Sequence, residues 1–190
     1  MAGDLGTGAG EVHAAAEVLD FWFGLPPEKW FAVDPELDRV IDKRFGRLRD
    51  AVLAGGAQGW GDHPDTLLAA IVLLDQFSRN LHRGAAEAFA ADPLACALAL
   101  LAIERGWDRL YPPERRAFLY LPLMHAEDRA LQALSVTKYA ALGRPDNVAF
   151  ARRHAAVIDR FGRFPSRNAA LGRESTPEEQ AFLAEHGAGW

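Results

Sequence analysis

Cysteine is almost missing: Cys96 is the only one in 190 residues. A single thiol excludes an internal disulfide and any Cys-rich zinc site. Lysine is scarce as well, with only Lys29, Lys43 and Lys138 among 21 basic residues. Uninterrupted apolar stretches are short, as in Leu67 to Leu74, which has eight residues. A membrane-spanning helix needs roughly 20, so no membrane partner is expected. The start has no basic region leading into an apolar stretch. No secretory signal is therefore expected, and a reducing cytoplasm is the expected setting. Gly3 to Gly10 precedes any periodic segment and is not followed by Lys-Ser or Lys-Thr, so it is no phosphate-binding loop. Gly-x-Ser-x-Gly and His-Glu-x-x-His do not occur; neither a nucleophile elbow nor a zinc helix is indicated. No segment alternates apolar and polar residues for long enough to make a strand. The formal charge is −5, which disfavours nucleic acid as a partner unless positive charge is strongly clustered.

What is present reads as helices. Hydrophobic residues make up 49% and charged residues 25%, the balance of one ordinary globular domain. Residues 1–10 are rich in Gly and Ala without periodicity and are expected to be disordered; 11–190 are expected to form a single all-helical domain. Glu11 to Phe23 is the first expected helix, stopped by Gly24 and Pro26-Pro27. Asp34-Pro35 is an N-cap with proline behind it and opens a helix to about Leu53. Further helices are expected from Pro64 to Asn80, from Asp92 to about Arg105, and from Pro113 to a kink at Pro122. Two more cover about Glu127 to Leu142 and Asp146 to Phe161. Thr176-Pro177-Glu178-Glu179 is a capping box for the last, ending near His186. About eight helices in antiparallel hairpins give an all-α domain.

Three segments put polar residues where a core is expected. Leu67 to Leu74 is apolar on every side, so this helix should be central. It runs straight into Asp75, Gln76, Ser78, Arg79 and Asn80. Buried polar groups need partners, and Asp75 and Arg79 stand four apart on one face. The second segment places His125, Glu127 and Asp128 just after Pro122. A histidine near carboxylates can act as a general acid or base, while Glu127 and Asp128 could equally favour the start of the next helix. Metal is the less favoured role, since no second histidine lies one turn away; no metal and no cofactor are expected. In the third segment Ala151, His154, Ile158 and Phe161 share a face, so His154 points inward, as a core residue or as a ligand-binding one. Arg160, Arg163 and Arg167 then interleave with Phe161 and Phe164.

Residues 144–173 hold seven arginines against Asp146 and Asp159. A GC-rich coding sequence raises arginine in number, so placement carries more than count. Guanidinium groups bind carboxylate and phosphate with paired hydrogen bonds. The cluster therefore points to a small anion, or to ion pairs within the protein.

These segments resemble a known family. Asp75-Gln76-Phe77-Ser78-Arg79-Asn80, Tyr120-Leu121-Pro122-Leu123-Met124-His125-Ala126-Glu127-Asp128 and Arg160 to Asn168 with Leu171 to Thr176 are similar to the bacterial domain of unknown function 924. Val18 to Gly24 and Glu178-Glu179-x-x-Phe182-Leu183 extend the resemblance over about residues 11–190. It implies a tetratricopeptide-repeat-like superhelix of stacked hairpins. In the family pattern a histidine follows the proline of Arg-Phe-Pro; here Ser166 stands there.

Two functions fit the residues. In the first, Arg79, Arg160, Arg163 and Arg167 hold a small anionic molecule or a peptide carboxylate in a groove, with Asp75, Asn80 and His154 beside them. In the second, His125 acts as acid or base, Asp128 or Asp75 sets its tautomer, Glu127 is a further candidate, and the arginines stabilise negative charge. Both require the three segments to converge on one pocket.

Overall fold

A computed structural model describes residues 8–187. The helices are α1 (Gly8–Phe23), α2 (Pro35–Ala54), α3 (Pro64–Ile71), α4 (Ser78–Leu81), α5 (Asp92–Glu104), α6 (Pro113–Met124), α7 (Arg129–Ala140), α8 (Pro145–Phe161) and α9 (Pro177–His186). Between α3 and α4 a π-helical segment, Val72–Phe77, carries the chain on without a break. These three pieces form one rod, and the described residues contain no strand. The all-α expectation is met. Of the segment 1–10 expected to be disordered, residues 1–7 lie outside the described residues, and Gly8 to Gly10 form the first turn of α1.

The helix starts follow the local chemistry. The Asp34 carboxylate accepts from the Glu36 and Leu37 amides, and Thr176 and Glu179 complete a reciprocal capping box. Proline stands in the first turn of α2, α3, α5, α6, α8 and α9, where its missing N–H leaves no bond unmade. Two boundaries differ from expectation. Pro122 does not interrupt its helix, which runs on to Met124; its missing N–H costs the one backbone bond that would reach the Phe118 carbonyl. The next helix starts at Arg129, because the Asp128 side chain caps it by accepting from the Leu131 amide.

The rod is the centre of the packing. Leu67 to Leu74 and Phe77 are at most 1% exposed, and α1, α2, α5 and α6 all lie against the rod. Phe77 meets Trp22 edge-on with ring centres 5.4 Å apart, and Trp22 meets Phe118 in the same way at 5.8 Å. Consecutive helices α5 to α8 pack pairwise, as a hairpin stack should, whereas the first half wraps the rod. A second small core joins Val157, Ile158, Phe164 and Phe182, with Phe161 against it.

A ten-residue apolar run, 94–103, is longer than the one in the rod. Residues 86–104 reach a mean hydropathy of 1.7, enough by length and composition to span a membrane. Here a turn breaks them at 89–91, and Ala91, Ala95, Ala99 and Ala102 are wholly buried in the core.

Candidate active site

The polar end of the rod meets the end of α6. The change to π-helix over Val72–Phe77 adds a residue to the turn that carries Asp75, a distortion found often at functional sites. His125 is the residue at which α6 ends, its N–H bonded to the Leu121 carbonyl. Its Nδ1 lies 2.7 Å from Oδ1 of Asp75. The Gln132 amide holds this corner by donating to the Met124 and Ala126 carbonyls at 2.7 and 2.8 Å.

Asp75 is completely buried. Burial alone would raise its carboxyl, but the Arg79 guanidinium, His125 and the donating Gln76 amide override that and hold it well below the usual carboxylate range. Ionised Asp75 can only accept, so Nδ1 of His125 carries the hydrogen and Nε2 is left as a lone-pair acceptor. Burial pushes the imidazole below its ordinary value against the pull of Asp75, and Arg79 pushes the same way. His125 is therefore neutral at pH 7. Nε2 makes no hydrogen bond among the described residues. His125 lines a pocket of about 400 Å³.

Arginines form the rest of the polar wall. Arg79 grips Asp92 through two N–H groups at 3.0 Å each and lies 3.2 Å from Asp75. Arg167 donates to the same Asp92 at 3.0 Å and to the His125 carbonyl at 2.8 Å, sandwiched between the rings of Phe89 and Phe164. Arg83 and Asn80 both donate to Asp38. Arg79, Arg83 and Arg167 line the pocket; their carboxylate partners do not. His154 also lines it, with Nδ1 on the Phe150 carbonyl at 2.9 Å. Burial pushes this imidazole down to about 4. Two larger cavities, about 510 and 630 Å³, hold no hydrogen-bonded carboxylate–histidine pair.

The expected residues thus divide. Asp75, Arg79, Asn80, His125, His154 and Arg167 gather at the pocket or directly behind it. Four do not line this pocket: Glu127, Asp128, Arg160 and Arg163. Asp128 is a helix cap, and the carboxylate that orients His125 is Asp75. Glu127 is taken up by Arg173 at 2.7 and 2.9 Å and by the Phe164 amide at 2.7 Å. Arg160 pairs with Glu178. Arg163 forks onto Glu179 at 2.7 and 2.9 Å. The Arg160 and Arg163 pairs fasten the end of α8 and the loop after it to α9. Ser166 is half-buried and does not line the pocket.

Sequence reasoning missed Asp92, which reads as a helix cap before Pro93. Its carboxylate caps nothing and instead ties Arg79 to Arg167, 75 positions further along. It also missed Trp30, Phe31 and Phe89, which carry no polar signal to set them apart from core aromatics.

A solved structure, of a protein of unknown function from Agrobacterium tumefaciens, is 41% identical, with a TM-score of 0.87 over 92% of this chain and 98% of that one. It has the same fold. No curated protein matches. The family model described as "Bacterial protein of unknown function (DUF924)" matches residues 18–187. That match takes in the rod, the His125 corner and the arginine loop, and this chain belongs to that bacterial family.

Proposed function

We propose that the chain is a small-molecule enzyme in which His125 exchanges a proton with an anionic ligand held beside Arg79, Arg83 and Arg167. One observation carries the reading: a neutral imidazole, oriented by a buried carboxylate, lines a pocket with its Nε2 unpartnered among the described residues. That is the state a general base needs before reaction. The wall contains no serine, threonine, cysteine or lysine. The chemistry that fits is thus proton removal from the ligand or from a water, not attack by a side-chain hydroxyl, thiol or amine. Arg79 and Arg167 could stabilise the charge that develops, since donors fixed before reaction cost no reorganisation.

A binding protein without turnover, for a small anion or a peptide carboxylate, is the second reading. Three guanidinium groups stand on one wall with no carboxylate among the lining residues. One experiment separates the two. The protein is incubated with a pool of polar metabolites, and both retained ligand and altered masses are followed. Turnover that disappears in His125→Asn, with the melting curve intact, is the expected result. A ligand retained unchanged by the wild type, or turnover undiminished in His125→Asn, overturns the enzyme reading.

A further inference from the structure

We infer that the ligand is a planar aromatic acid, its ring stacked on Phe31 and its acid group on the arginine wall. The inference rests on the reading of this pocket as a ligand site. The lining combines two chemistries: arginines with His125, and the aromatic rings of Trp30, Phe31 and Phe89, of which Phe89 packs against Arg79 and Arg167.

The aromatic rings are arranged unevenly. Trp30 is fixed, its Nε1 donating to the Trp22 carbonyl at 2.8 Å and its ring edge-on to Phe118 at 5.0 Å. Phe31, next in the chain, lies parallel to Phe118 within 4°, ring centres 5.9 Å apart. One face is therefore backed by the core, and yet the residue is 72% exposed. A large apolar ring left open on a pocket rim, while its neighbour is locked, offers a flat surface to a flat partner. Phe89 is already covered on one side by Arg167, which leaves Phe31 as the available platform.

The arginines supply the anion's donors. Nε of Arg79, Nε of Arg167 and Nη1 of Arg83 make no hydrogen bond among the described residues. Arg83 also donates to the Ala32 carbonyl at 3.5 Å, so the rim loop that carries Phe31 touches the arginine wall. Ring and acid can then be engaged at once.

Calorimetry on the full chain tests this with four probes: benzoate, phenyl phosphate, cyclohexanecarboxylate and acetate. Benzoate or phenyl phosphate should bind saturably, and which of the two binds tighter identifies the acid group. Cyclohexanecarboxylate and acetate should each bind at least about tenfold more weakly, and Phe31→Ala should cost about tenfold while Phe31→Tyr keeps the affinity. Phe31 is exposed, so both variants should fold. Equal binding of cyclohexanecarboxylate, unchanged affinity in Phe31→Ala, or no binding of either aromatic acid overturns the inference. None of these outcomes touches the role of His125, which is read from turnover.

Discussion

Asp75 is the residue on which the site turns. It is a buried anion facing an arginine, a histidine and an amide. Taking one partner from a buried pair strands the other charge. Asp75→Asn should therefore lower stability by about 3–5 kcal/mol in urea titrations, and it should let His125 change tautomer. The two pocket histidines set a pH dependence of their own. His154 is held near 4 and His125 below its ordinary value. Their unfolded forms take up protons first, so the stability they contribute is whole above about pH 6.5 and is lost as pH falls toward 4. For His154 alone the loss is on the order of 3 kcal/mol. The carboxylates act lower. Asp75 and Glu179 have depressed folded values, Glu179 near 2, so they contribute above about pH 4 and fail only in stronger acid. Urea midpoints at pH 7, 5 and 4 should fall steadily, and a flat profile across that range would contradict the buried neutral histidines. Asp75 and Arg79 could be paired from sequence, because a helical spacing of four is local information. The bond from Asp75 to His125 spans 50 positions, and no local rule reaches that far.

Among the elements, the loop 162–176 is the one that both builds the pocket and can come loose. It brings Phe164 and Arg167 to the wall. It is tied down by Glu127 through Arg173, by Glu179 through Arg163 and Asn168, and by a small core separate from the main one. Thr176→Ala removes one half of the capping box and should cost about 1 kcal/mol. Glu179→Ala removes the acceptor of Arg163, Asn168 and the Thr176 amide together, and should cost more. Hydrogen exchange should locate the effect: amides of 162–187 become faster in both variants while those of the rod do not. Gly162 ends α8 with φ of 70°, a left-handed conformation that strains any residue with a Cβ. Gly162→Ala should destabilise this same region by about 1 kcal/mol, read from the same exchange pattern. The helix starts were legible because caps and prolines act within four residues. The π segment was not, since Val72–Phe77 reads as ordinary helix and its extra residue answers to the packing around it.

At the scale of the whole molecule, the rod is the structure's single axis. Four helices converge on the rod, whose stretch Leu67 to Leu74 has no exposed side. Leu68→Ala, at 0% exposed, should cost about 2–5 kcal/mol and should broaden the whole melting transition, because no neighbouring layer can collapse into the cavity without moving another. The charge pattern also resolves at this scale. The arginine-rich stretch 144–173 looked like an excess of positive charge. Arg144, Arg160, Arg163, Arg167 and Arg173 each pair with a carboxylate from another element. The excess is local in sequence and largely balanced in space. What the sequence by itself determined was the helical class, nearly every helix start, the centrality of Leu67 to Leu74, and the segments that would carry polar groups inward. All of these depend on neighbours within a turn or two. Only the tertiary structure decided which arginines are spent on α9 and which face the pocket, that Asp92 rather than a cap joins two of them, and that Asp75 rather than Asp128 orients His125. Those outcomes depend on which distant carboxylate arrives within 3 or 4 Å, and packing of the rod sets that distance.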